Sequence, residues 1–111
     1  MSFERACAVG DVPADEAIGV QLGDLEVAVA RQGDEFFAIQ DLCSHAAVPL
    51  SEGEVADGTV ECWLHGSRFD LRTGRPTGLP ATERVATFRT DVRDGIVYVD
   101  TSTTSNGVIP S

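Results

Sequence analysis

The chain has no lysine: its positive charge rests on eight arginines against eighteen carboxylates, a net of −10 over 111 residues. The deficit is lopsided. Residues 1–60 hold twelve of the carboxylates and two of the arginines, whereas residues 61–111 are balanced at six and six. Phosphate backbones and anionic membranes repel such a surface, which argues against nucleic acid and lipid headgroups as partners. A basic protein partner is favoured, since opposed fields raise encounter rates; solubility is the plainer use of the same charge. Long apolar runs are also missing. No stretch approaches the roughly 18 residues of a membrane span. Met1 to Gly10 carries Glu4 and Arg5 and lacks the apolar core of a secretory signal, so the expected location is the cytoplasm. Cysteine is scarce and odd in number, at three, which does not suit a disulfide framework. Cys7 stands apart in a short apolar run and is expected to be a small buried hydrophobe.

What is present reads as one all-β domain over residues 1–100. Phe3 to Val9 is a strand candidate, and Pro13 to Glu16 a loop. Ile18, Val20 and Leu22 alternate with polar or small residues, as do Leu25, Val27 and Val29, and Phe36 to Ile39 follows. Turn signals at Gly23-Asp24 and Gln32-Gly33-Asp34 separate these runs into a three-strand antiparallel meander. Regular strands resume over Val85 to Val92 and Ile96 to Val99, joined at Asp94-Gly95. Residues 101–111 form a Ser/Thr-rich tail with little to bury, expected to be flexible or loosely attached. Between the flanks lies a segment of about 40 residues, 41–80, rich in Gly, Pro, Cys and His. A hairpin at Asp57-Gly58 and a strand over Ser67 to Leu71 are its only regular elements. A packed domain rarely tolerates so much irregular chain unless something organises it.

That segment contains both histidines and two of the three cysteines. Cys43-Ser44-His45 is followed, sixteen residues on, by Cys62-Trp63-Leu64-His65. Each half offers one thiolate and one imidazole on a single tight loop, with Pro49, Gly53 and Gly66 suiting sharp turns. An S₂N₂ donor set leaves two candidates, zinc and a mixed-ligand [2Fe–2S] centre. Zinc fingers usually group their cysteines together and their histidines together, whereas here each loop mixes the two. The mixed order favours two irons and leaves zinc open.

The two boxes, Cys43-Ser44-His45-Ala46-Ala47-Val48-Pro49-Leu50 and Cys62-Trp63-Leu64-His65-Gly66-Ser67-Arg68-Phe69-Asp70, resemble the cluster loops of Rieske ferredoxins. Arg72-Thr73-Gly74 and Gly78-Leu79-Pro80 resemble that family's next turn and its proline loop. The resemblance covers essentially residues 3–100. It implies an antiparallel β-sandwich or barrel base with a small cluster-binding subdomain of two loops, about residues 41–80. It also implies one Rieske-type [2Fe–2S] cluster, with Cys43 and Cys62 on one iron and His45 and His65 on the other. Rieske subunits of cytochrome bc complexes add a cysteine to each loop and a membrane anchor; here Val48 and Leu64 occupy the matching positions, which points to the soluble ferredoxin type. Rieske oxygenases append a mononuclear iron domain, for which this chain has neither histidines nor room.

The expected cluster shell is Pro49, Leu50, Trp63, Leu64, Gly66, Ser67, Phe69 and Pro80. The apolar members would form a dry collar, with part of Trp63 lining a docking face. Ser67 stands where high-potential members place a donor to cluster sulfur, and Phe69 where they often have tyrosine. One donor at most implies a low to intermediate potential within a span of roughly −150 to +300 mV. Arg68, Arg72 and Arg75 either neutralise Glu61 and Asp70 or are simply solvated. The function implied is one-electron transport, without catalysis, from an NAD(P)H-dependent flavin reductase to a terminal oxygenase of the aromatic ring-hydroxylating type. Alternatives are a fixed subunit of another oxidoreductase or of iron–sulfur assembly, and a zinc-stabilised binding module.

Ligand histidines should lose their outer protons more easily when the iron is oxidised. Above the oxidised-state pKa the midpoint potential should therefore fall by about 59 mV per pH unit. Voltammetry across alkaline pH checks this, and a flat profile would refute it.

Overall fold

A computed structural model of the chain describes residues 3–43, 48–64, 66–78 and 81–109. Its strands are β1 (Phe3–Ala8), β2 (Ala17–Leu22), β3 (Leu25–Gln32), β4 (Glu35–Gln40), β5 (Val55–Ala56), β6 (Thr59–Cys62), β7 (Ser67–Asp70), β8 (Thr87–Phe88), β9 (Thr90–Arg93) and β10 (Ile96–Asp100). Short 3-10 turns occupy Val9–Asp11 and Leu50–Glu52. Among the described residues there is no α-helix, and no helix long and apolar enough to cross a membrane.

The strands form three antiparallel sheets, ordered β1-β10-β9, β2-β3-β4-β8 and β5-β6-β7. The expected meander is present as β2-β3-β4, with Leu22 opposite Leu25 and Gln32 opposite Glu35 across two-residue turns. Asp57 and Asp94 take positive φ, as does the glycine after each, which is the conformation of the type I′ hairpin turn read from Asp-Gly. The stretch Val85 to Val92 is not the single strand expected. Phe88 and Thr87 pair with Ala38 and Ile39, whereas Thr90 to Arg93 pairs with β10. The chain changes sheets at Arg89, so one apolar run serves two sheets in succession.

The central four-stranded sheet is a wall between two cores. Along β3 side chains alternate between its faces, as the pleat requires. Val27 and Val29 enter one core with Val12, Ala86, Phe88, Val97 and Val99. Ala28 and Ala30 enter the other, with Leu50, Val55, Val60, Phe69 and Leu71 from the segment carrying the paired motifs. The alternation in sequence suggests a half-buried strand, but Val27 to Ala30 are all fully buried. Alanine is a poor marker of burial in a polar/apolar pattern, and here it is the small floor on which larger side chains pack.

Within residues 101–109, polar bonds reach back to the domain. Ser105 N–H donates to the Thr87 carbonyl (2.8 Å). The Asn106 amide donates to the carbonyls of Thr73 and Val85, each at 2.9 Å, and accepts from the Thr87 and Val108 N–H groups, each at 3.2 Å. Val108 packs against the first core. A few polar bonds and this one apolar contact join the segment to the domain.

Two-sided burial of β3 makes a simple prediction. Ala28→Leu overfills the wall and should cost about 1–3 kcal/mol of stability. Urea unfolding measures this, and an unchanged midpoint would show that this face has spare room.

Candidate metal centre

Cys43 follows β4 after a two-residue bend, and Cys62 ends β6. Both thiols are buried, neither is in a disulfide, and both belong to the core built on Ala28 and Ala30. Each stands at the neck of a loop. The Cys43 N–H donates to the Val48 carbonyl (3.0 Å), drawing the two ends of the first loop together. The Gly66 N–H donates to the Cys62 carbonyl (2.9 Å), and Cys62 pairs with Ser67 across the β6–β7 hairpin. His45 and His65 belong to these two loops in sequence; they and Pro80 lie outside the described residues.

Polar bonds fix the loops to the wall. Gln40 exchanges two bonds with Ala86 through its backbone and side chain, and its amide donates to the Leu42 carbonyl (2.8 Å). Asp41 is buried, and its carboxylate accepts from the Ser51 N–H (2.7 Å) and hydroxyl (2.8 Å), tying the exit of the first loop to its entrance. Carboxylate acceptors make the stronger class of hydrogen bond. The two loops are joined through the Glu61 N–H, which donates to the Glu54 carbonyl (2.9 Å). Gly53 lies so close that a Cβ there would collide with the Glu61 carbonyl. Neither Asp41 nor Gly53 carries a sequence signal of this role; only the contact across the fold identifies it.

The expected shell divides. Leu50 and Phe69 are fully buried beside the two thiols, and Val48 packs against the same core. Pro49 is half-buried and Gly66 exposed. Trp63 and Leu64 are 48 % and 45 % exposed and form an apolar tip on the second loop. Ser67 is 1 % exposed, and its Oγ accepts from the Ala81 N–H (3.1 Å), leaving its own proton to donate.

Of the nearby arginines, Arg68 pairs with Glu54 (3.1 Å) and Glu61 (3.8 Å) and donates to Thr59 Oγ1 (3.0 Å), bracing the hairpin. Arg72 pairs with Glu35 and lies over the Phe37 ring, while the Asp70 carboxylate instead accepts the Arg72 and Thr73 backbone N–H groups. Cys7 lies in the other core, across the wall. Burial, with Asp11 adding and Arg5 opposing, pushes its thiol pKa up and keeps it protonated, as befits packing.

Two reduced, buried thiols at the necks of two joined loops, over an apolar floor, suit an iron–sulfur centre. Two thiolates are half of the mixed donor set that such a centre takes, and burial is what would shield it from water. The chain belongs to the Rieske [2Fe-2S] domain family, which it matches over residues 2–89. Within that family it is a ferredoxin, an electron-transfer protein carrying one Rieske-type cluster. It is 42% identical over 96 residues to the 3-phenylpropionate/cinnamic acid dioxygenase ferredoxin subunit of Escherichia coli (strain K12), covering 86% of this chain and 90% of that one. The ferredoxin of carbazole 1,9a-dioxygenase from Nocardioides aromaticivorans IC177 superposes with a TM-score of 0.84 at 33% identity, over 89% of this chain and 97% of that chain. A chain from a complex of reduced oxygenase and oxidized ferredoxin in carbazole 1,9a-dioxygenase gives 0.81 at 36% identity, over 87% and 91%.

The loop junction can be tested at Gly53. Gly53→Ala forces the two loops apart, so iron per chain and visible absorbance should fall well below the wild-type values after identical purification. Full loading at wild-type thermal stability would show that the junction yields without consequence.

Proposed function

We propose that this chain carries single electrons from an NAD(P)H-dependent flavin reductase to the terminal oxygenase of an aromatic ring-hydroxylating system, working in the cytoplasm. Cys43 and Cys62 would hold one iron of the cluster, and His45 and His65 the other. The bound cluster supplies one reversible electron. The observation that carries the reading is the placement of both thiols in one buried core beneath an exposed apolar tip, Trp63 and Leu64. Acceptor contact and electron source then lie at the same end of the domain.

Each part has its own task. The Ala28 and Ala30 face and Leu50 keep water from the thiolates. Asp41 and Gln40 hold the first loop against the wall. Ser67, held by the Ala81 N–H, keeps a proton available for the sulfur side, which favours the reduced state. Hydride from a nicotinamide delivers two electrons together, so a flavin must divide the pair before a one-electron carrier can use it. Related ferredoxins named for cinnamic acid and carbazole dioxygenases support the aromatic assignment.

Reconstitution tests the reading. Dithionite-reduced protein should give a Rieske EPR signal, and Cys62→Ser should abolish it. With a flavin reductase and an aromatic-ring oxygenase supplied, turnover should require the loaded protein. Zinc without iron, or oxygenase turnover unaffected by omitting the chain, would overturn it. Ser67→Ala should lower the midpoint potential by roughly 60 mV, the one-electron equivalent of a hydrogen bond of about 1.4 kcal/mol.

A further inference from the structure

We propose that Asn106 is a deamidation site and that its intact amide is the latch holding the C-terminal segment on the domain. Two independent observations meet there. The first is chemical: Asn106 is followed by Gly107, the residue that least obstructs attack of its own backbone nitrogen on the asparagine side chain. The second is structural: both ends of that amide are in use. Nδ2 donates to the Thr73 and Val85 carbonyls, and Oδ1 accepts from the Thr87 and Val108 N–H groups.

The latched segment spans two parts of the fold. Thr73 and Gly74 belong to the turn that closes β7, at the end remote from the second loop, and Val85 to Thr87 lead into β8 of the wall. The Val85 N–H donates to the Gly74 carbonyl (2.9 Å), and the Asn106 amide lies across this junction. Gly74 has no side chain to interfere: a Cβ there would collide with the Val85 carbonyl and press on the Asn106 amide. Thr87 and Ser105 add a hydroxyl pair at 2.6 Å.

The reaction balances with water alone. The Gly107 nitrogen forms a bond to Asn106 Cγ, the Cγ–Nδ2 bond breaks, and Nδ2 leaves as ammonia with the proton from Gly107. Water then opens the succinimide to an aspartate or an iso-aspartate. Docked, the amide is held at both ends and cannot turn its Cγ toward the Gly107 nitrogen. Undocked, the pair reacts as an open Asn-Gly sequence. Once the amide is gone, a carboxylate oxygen replaces the donor facing two carbonyl oxygens, and these repel it. Local opening therefore gates the reaction, and the reaction prevents reclosing.

Full-length loaded protein is aged at mildly alkaline pH, and deamidation at position 106 is followed by peptide-mapping mass spectrometry. The native chain should react at least about tenfold more slowly than the same chain in urea, as a protected segment does. Thr87→Val removes the hydroxyl pair and leaves Asn106 in place; it should deamidate several-fold faster than wild type. Asn106→Asp should speed hydrogen exchange over residues 103–109 and at the Val85 amide, with the EPR signal retained. Equal rates in native and urea-unfolded chains would overturn the gating, as would equal rates in wild type and Thr87→Val. Wild-type exchange protection in Asn106→Asp would overturn the latch.

Discussion

Burial of β3 on both faces is the constraint on which the rest of the molecule depends. A sheet with one solvated face could carry the sandwich formed with β1, β9 and β10, but it would leave the motif-bearing segment without a core. Among the described residues, 41–80 form three short strands of their own. Strands of two to four residues bury little against one another, so this sheet gains its core by packing on a surface. Ala28 and Ala30 provide it, being small enough to let Leu50, Phe69 and Leu71 sit directly on the wall. Small residues on β3 sit beside larger ones on β4, Ile39 and Phe37, so the wall offers a shaped floor on which the segment packs closely.

Packing alone would not keep two loops in register. Their necks are held by directional bonds: Cys43 to Val48, Gly66 to Cys62, Ser51 to Asp41, and Glu61 to Glu54. Most are backbone bonds, which survive side-chain change. Asp41 is the exception, a carboxylate buried at the edge of the core and compensated by two donors from Ser51. A buried carboxylate without such donors would be costly, so its presence there ties the loop geometry to a large energetic penalty for disorder.

Much of this was legible in the sequence, and the failures have physical causes. The cysteine–histidine spacing pointed to the centre because scarce residues of distinctive chemistry recur in pairs. The meander and Asp-Gly turns were legible because period-two patterning and turn chemistry are local. Missed were the roles of Ala28 and Ala30, since alanine is compatible with either environment, and the break at Arg89, since an apolar run does not say which sheet it joins. Trp63 read as collar with part of it on a docking face, and Leu64 as collar; both are about half exposed, a degree that apolar character alone does not specify. Asp41 and Gly53 act through partners ten and eight residues on, and Asn106 bonds to Thr73 and Val85, contacts that no local pattern in the sequence specifies.

The absence of lysine gains meaning once the arginines are placed. Arg31, Arg68, Arg72 and Arg93 are engaged with carboxylates of the same chain, and Arg31, Arg72 and Arg93 also lie over aromatic rings. Such exposed pairs add little stability, but they neutralise charge where it stands. Half of the eight arginines are thus paired within the domain, while the first sixty residues carry its acidic excess. A field of one sign reaches a partner over about a Debye length, whereas the apolar contact offered by Trp63 and Leu64 acts only on touching. Long-range attraction raises the association rate, and a small apolar tip limits how tightly the encounter holds. For the carrier proposed above, which would visit a reductase and an oxygenase in turn, fast arrival and easy departure are both required, and the charge pattern and the exposed tip would supply one each.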